Sequence, residues 1–123
     1  MIMKKIKILY VDDEEINLML LKLNLRDKFD VITANTAAKG LELLFSDSEI
    51  SIVISDMKMP NTSGLEFIEE AKNKYSDIKY FILTGLEITH EIETALNSGL
   101  IIDYLKKPFK PDEIEQSINN ALF

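Results

Sequence analysis

The chain has no cysteine and a single histidine, His90, among its 123 residues. The first absence excludes disulfides, thiolate zinc sites and thiol catalysis, and it fits a cytosolic chain. Long apolar runs are missing too, and no stretch reaches the length a bilayer span needs. Met1 to Val11 begins like a secretion leader, but Lys7 interrupts its apolar part and Asp12-Asp13 ends it too early. The expected location is therefore the cytoplasm, with no membrane partner. Positive charge is in short supply, with 14 Lys and Arg against 21 Asp and Glu, a net charge of -7. The lysines are scattered, so the clustered cations that phosphate backbones require are lacking and direct nucleic-acid binding is disfavoured.

What is present has the proportions of an ordinary folded domain. Hydrophobic residues make up 46% and charged residues 28%, with no low-complexity tract, which argues against disorder. The length suits one core, and no linker divides it, so residues 1–123 are expected to form a single domain.

Short apolar runs alternate with stretches of helical period five times over, the pattern of βα units around a parallel sheet. The runs are Ile6 to Val11, Val31 to Thr33, Ile52 to Ser55, Tyr80 to Leu83 and Ile101 to Leu105. Several are apolar at nearly every position, as strands covered on both faces are. The sheet-facing rows of the helices are expected at Ile16, Leu20 and Leu23; Leu41, Leu44 and Phe45; Leu65, Ile68 and Ala71; Ile92, Ala95 and Leu96; and Ile114, Ile118 and Ala121. The first helix carries a second apolar row, Leu18, Leu21 and Leu25, which reads as a wide core-facing stripe or scattered surface leucines, or else as a partner-docking face. Ser63 and Glu66 are spaced as a capping box, Gly99 is placed to end the fourth helix, and Pro111 with Asp112 and Glu113 opens the fifth.

Ligand sites in open parallel sheets form at the carboxyl ends of the strands. Those ends carry Asp12 and Asp13, then Asp56, then Thr84, and then Lys107. Each alone has an ordinary role: a helix cap, an acid after a strand, a β-branched strand residue, a solvated lysine. Together at one edge they make a site. Three carboxylates in one cleft repel each other unless a cation joins them. All-oxygen ligation suits Mg²⁺, whereas zinc would recruit histidine or cysteine. A metal beside an aspartate is also what attack on a phosphoryl group needs. Lys107 would pair with the phosphoryl oxygens and Thr84 would donate to another of them, with Gly85 leaving the backbone room to approach.

At these residues the sequence resembles the receiver domains of two-component response regulators. Val11-Asp12-Asp13-Glu14 is similar to their acidic pair, and Ser55-Asp56-Met57-Lys58-Met59-Pro60 to their phosphoacceptor loop. Ser63-Gly64-Leu65-Glu66 matches its continuation into a helix, Leu83-Thr84-Gly85 the switch hydroxyl, and Tyr104-Leu105-Lys106-Lys107-Pro108-Phe109 the switch aromatic and lysine. The resemblance implies an α/β fold: a five-stranded parallel sheet in a flavodoxin-like (βα)5 doubly wound arrangement, strand order 2-1-3-4-5. It implies that Asp56 accepts a phosphoryl group, and that Asp12, Asp13, Asp56 and the backbone carbonyl of Lys58 hold Mg²⁺. It further implies that Lys107 contacts the phosphoryl group, that Thr84 and Tyr104 act as switches, and that the Lys107-Pro108 bond is cis.

The implied partners are a histidine kinase or histidine phosphotransfer protein, and a downstream protein or second copy at the helix 4, strand 5 and helix 5 face. Such a domain is a switch more than an enzyme, limited to phosphorylating and dephosphorylating itself. The fifth helix nearly closes the sequence and leaves no length for an output domain in this chain. Gly99 to Tyr104 is one residue longer than usual for the family, and the Lys58 side chain adds charge near the site.

Other readings fit less well. A flavin or nucleotide binder of the same fold needs small residues and free amides after the first strand, where this chain has Asp12-Asp13-Glu14-Glu15. An aspartyl phosphohydrolase needs a substrate pocket for which there is no spare length. A degenerate receiver would lack part of the polar set, which is complete here. His90 has no second histidine beside it and reads as a solvated helix start.

Overall fold

The apolar runs form the strands of one sheet, and the chain between them forms the helices. In the computed structural model, which describes residues 4–85 and 87–123, the order is β1 (Ile6–Val11), α1 (Glu15–Leu25), β2 (Phe29–Ala34), α2 (Ala37–Ser46), β3 (Ile50–Asp56), α3 (Gly64–Lys74), β4 (Lys79–Thr84), α4 (His90–Ser98), β5 (Asp103–Lys106) and α5 (Pro111–Leu122). The first three residues of the leader-like Met1–Val11 stretch lie outside the described residues. Among those described, no helix is long and apolar enough to cross a membrane.

All the strands pair in parallel, in the order β2-β1-β3-β4-β5, as the fold reading expected. The chain leaves β1 outward to β2 and then returns to β1's other side, so the strand order reverses between β1 and β3. A crevice opens there at the carboxyl ends.

Side chains alternate between two cores. Ile8, Tyr10, Ile52, Ile54, Phe81 and Leu83 lie on the side covered by Leu18, Leu21 and Leu25 of α1 and by Ile114 and Ile118 of α5. Leu9, Val11, Val53, Tyr80 and Ile82 face the other way, toward Leu44 of α2, Leu65, Phe67 and Ile68 of α3, and Ile92 and Ala95 of α4.

Helix ends follow the local chemistry. Ser63 and Glu66 form a reciprocal capping box on α3, Gly99 ends α4 with φ 81°, and Pro111 occupies the first turn of α5. Thr36 and Thr89 cap α2 and α4 through their hydroxyls, which the sequence reading did not single out.

Three expectations need correction. In α1 the faces are reversed: Leu18, Leu21 and Leu25 are buried, whereas Ile16, Leu20 and Leu23 are exposed, Ile16 by 66%. The helix is apolar on nearly every side, so periodicity could not select its phase. Phe45 of α2 likewise points to solvent, being 85% exposed. Strand limits differ as well. β2 starts earlier, at Phe29, because its pairing with β1 runs from Ile6↔Phe29 to Val11↔Ala34. β5 starts later, at Asp103, because Ile101 and Ile102 form the joint from α4, donating to Ala95 O at 3.4 Å and Tyr80 O at 2.8 Å. Tyr104 is half-buried and packs against the core on the α3 and α4 side.

Candidate functional site

Strand register brings the polar residues to one edge. β1 pairs Val11 with Ser55, β3 pairs Asp56 with Leu83, and β4 pairs Thr84 with Lys106, so the residues just beyond these pairs share one end of the sheet. The backbone holds that edge together. Asp12 N–H donates to Ala34 O at 3.1 Å, Met57 N–H to Leu83 O at 3.0 Å, and Lys107 N–H to Thr84 O at 2.9 Å.

Asp12, Asp13 and Asp56 each direct a carboxylate oxygen to a common point, all within 4.8 Å of one another. Asp12 is buried, Asp56 nearly so at 7% exposure, and Asp13 faces solvent. Asp13 is not a helix cap, since Glu14 occupies that position in α1 and makes no side-chain cap bond. Its ordinary role is therefore removed. Lys107 Nζ lies 2.6 Å from Asp56 Oδ1 and 4.0 Å from Asp12 Oδ2. The Lys107-Pro108 peptide bond is cis, as expected.

Burial pushes the Asp56 carboxyl above the usual carboxylate range, Asp12 and Asp13 push it the same way, and the Lys107 bond opposes them. One ammonium does not neutralise three carboxylates. The deficit of positive charge at an all-oxygen cluster, with one carboxylate open to solvent, fits a hard divalent cation such as Mg²⁺.

After Asp56 the chain makes a tight loop. Gly64 N–H donates to Met57 O at 2.8 Å, and Lys58 bridges to Ser63 across the loop. The Lys58 side chain is exposed. Thr84 is buried at the end of β4, and the sites of Asp12, Asp13, Asp56, Thr84 and Lys107 thus share one edge. Tyr104 sits lower, within β5. His90 is exposed at the first turn of α4, a solvated helix start.

Two contributors went unnoticed in the sequence. Tyr10 donates its hydroxyl to Asp12 Oδ2 at 2.5 Å, and Asn17 Nδ2 donates to the same oxygen at 3.2 Å. Burial first, and then the bond to Asp12, pushes the Tyr10 hydroxyl far above the usual tyrosine pKa. Tyr10 was legible in principle, because strand residues two apart share a face. A further omission is the close approach at Gly64, where a Cβ would stand 2.2 Å from Asp56 O. At Gly85 a Cβ would meet only Lys107 carbons at 3.7 Å.

The profile of the response regulator receiver domain matches residues 8–119. The chain is 28% identical over 119 residues to the hydrogenase transcriptional regulatory protein HoxA of Cupriavidus necator, covering 97% of this chain and 24% of that protein. It is 37% identical over 94 residues to the response regulator SaeR of Staphylococcus epidermidis, covering 76% and 40%. The chain thus spans less than half the length of these curated relatives. Among solved structures, the response regulator TrrA of Thermotoga maritima, in complex with Mg²⁺ and BeF, superposes with a TM-score of 0.81 at 33% identity, over 98% of this chain and all of that one. The edge of carboxylates, hydroxyl and lysine therefore has a family context, and the chain belongs to the response-regulator receiver domains of two-component signalling.

Proposed function

We propose that the domain accepts a phosphoryl group on Asp56 from the phosphohistidine of a histidine kinase or phosphotransfer protein. The observation that carries this reading is the cluster itself: three carboxylates within 4.8 Å, with Lys107 2.6 Å from Asp56. An Asp56 carboxylate oxygen attacks phosphorus, the phosphorus–nitrogen bond to the donor imidazole breaks, and the imidazole keeps the electron pair. Asp12, Asp13, Asp56 and the Lys58 carbonyl would hold Mg²⁺, which neutralises charge on the phosphoryl oxygens. Lys107 then exchanges its pairing with Asp56 for a phosphoryl oxygen, and Thr84 donates to another. Tyr104, half-buried at the core edge, follows Thr84 inward, which couples the site to the α4, β5 and α5 face.

On this reading residues 1–123 act as one cytoplasmic receiver domain and a switch rather than an enzyme, with only self-phosphorylation and self-dephosphorylation as chemistry. Its output is a population shift read by a downstream protein or a second copy at the α4, β5 and α5 face. The net charge of -7 supports protein partners over direct contact with nucleic acid or membrane.

The test is intact mass after incubation with acetyl phosphate and Mg²⁺. The expected result is one phosphoryl adduct, lost in Asp56→Asn and in chelator. Absence of the adduct together with no binding of beryllofluoride would sink the phosphorylation reading and leave the fold. Should a second copy be the target, beryllofluoride shifts the protein to a dimer in sizing chromatography; identical elution volumes across a wide concentration range count against it.

A further inference from the structure

Tyr10 is fully buried in β1, and its ring lies in the core between the sheet and helices α1 and α5. Its hydroxyl reaches past that core to Asp12 Oδ2 at 2.5 Å. The tyrosine is the donor and the carboxylate oxygen the acceptor. Asp12 is thereby gripped at both oxygens: Glu14 N–H donates to Oδ1 at 3.0 Å, and Tyr10 and Asn17 donate to Oδ2 at 2.5 and 3.2 Å.

The partners differ in how firmly they can hold. Lys107, 4.0 Å from Oδ2, is shared with Asp56 at 2.6 Å and must turn to the phosphoryl group. Asn17 and Glu14 belong to the partly exposed start of α1. Tyr10 alone comes from the sheet, with its ring fixed by a packed core. A phenylalanine would fill the same core, so packing gives no reason for the hydroxyl.

We infer that Tyr10 is a positioning residue for the cation site, its hydroxyl fixing the Asp12 carboxylate in the orientation that Mg²⁺ binding uses. The inference rests on the reading that Asp12, Asp13 and Asp56 hold Mg²⁺. Groups that orient a metal site's acidic residues commonly matter for affinity as the ligands themselves do.

Tyr80 provides the internal comparison. It is also buried, and its hydroxyl donates to Tyr75 O at 2.8 Å, a backbone partner outside the acidic cluster. Loss of either hydroxyl removes one hydrogen bond, buried at Tyr10 and partly buried at Tyr80, but only one of the two touches the site.

Calorimetric Mg²⁺ titration of the wild type, Tyr10→Phe and Tyr80→Phe separates the two roles. Tyr10→Phe is expected to raise the Mg²⁺ Kd about 10-fold, and Tyr80→Phe to leave it within about twofold of wild type. In the unsubstituted protein, the Tyr10 hydroxyl proton resonance is expected to move on Mg²⁺ addition while that of Tyr80 stays, which decides the matter if Tyr10→Phe does not fold. An unchanged Kd in Tyr10→Phe, equal shifts in both variants, or a Tyr10 resonance indifferent to Mg²⁺ overturns the inference. A wild type that binds no Mg²⁺ overturns the Mg²⁺ reading as well, whereas a wild type that binds it alongside an indifferent Tyr10→Phe removes only the role of Tyr10.

Discussion

At Gly64 the chain passes so close to the end of β3 that an added Cβ would stand 2.2 Å from Asp56 O and 2.8 Å from Ile82 Cδ1. The nearer obstacle is backbone and cannot swing aside, so Gly64→Ala must displace the Asp56 loop. A loss of about 3 kcal/mol is expected in urea unfolding, the upper part of the range for overpacking. Gly99 differs in kind: its φ is 81° and a Cβ there meets nothing within 4 Å. Gly99→Ala is expected to cost only about 1 kcal/mol, the conformational penalty of a left-handed residue with a Cβ. Equal losses in the two variants would show that contact at Gly64 is not what restricts it.

Lys7 sets a second effect at this scale. Its Nζ lies 2.8 Å from Asp47 Oδ2, and that hydrogen bond, helped by Glu49 N–H, holds the Asp47 carboxyl below its ordinary 3.8. A carboxyl depressed on folding stabilises the fold above its unfolded pKa and loses that contribution as pH falls through the folded one. Lys7→Met should therefore melt below wild type at neutral pH, with the gap closing below about pH 4. Melting temperatures recorded against pH check this; a gap that persists undiminished to about pH 2 would assign it to Lys7 packing instead.

At the scale of elements, α1 marks the limit of what periodicity can say. Ile16, Leu20 and Leu23 and the row Leu18, Leu21 and Leu25 are both spaced for a helix face, and leucines on either row have equal claim to the core. Burial selects the second row. Leu21→Ala is expected to cost about 3 kcal/mol by chemical denaturation, whereas Leu20→Gln stays within about 0.5 kcal/mol of wild type. A larger loss for Leu20→Gln would restore the original assignment of faces. By contrast the main face of α3 was legible, because Leu65, Ile68 and Ala71 stand among charged residues and Ser63 with Glu66 marks the start, although the buried Phe67 on its flank went unnamed. The site was legible for a related reason: strand order fixes which strand ends meet, so Asp12, Asp13, Asp56, Thr84 and Lys107 could be placed without side-chain detail. The grip of Tyr10 and Asn17 on Asp12 depends on the direction and reach of side chains, which a linear pattern carries only weakly. The edges of β2 and β5 were misjudged because pairing partners, rather than apolarity, set where those strands begin.

For the whole molecule, an acidic chain of net charge -7 concentrates three carboxylates at one sheet edge against a single lysine. Burial and the neighbouring acids raise the Asp56 carboxyl above its usual range, so at neutral pH its anion is held at a cost to folding. Asp56→Asn removes that charge while keeping the shape. In chelator the variant is expected to melt above the wild type, because it no longer carries an anion that burial and two neighbouring carboxylates disfavour; a gain of about 1 kcal/mol would read as about 4 °C in Tm for a domain of this length. If the acidic edge holds Mg²⁺ the comparison is expected to reverse, because a cation that binds only the folded state stabilises in proportion to the logarithm of its concentration over Kd. The wild type has the full acidic set and should gain more than Asp56→Asn as Mg²⁺ is raised, so the two melting curves approach and then cross. Scanning calorimetry of both proteins across a Mg²⁺ series decides it. A wild type more stable than Asp56→Asn in chelator would mean that the Lys107 pair outweighs the repulsion; parallel responses to Mg²⁺ would mean that Asp56 is not part of the cation site. Crossing curves would tie the cost of folding this acidic edge to the cation that relieves it, making the strain of the metal-free site part of what drives Mg²⁺ uptake.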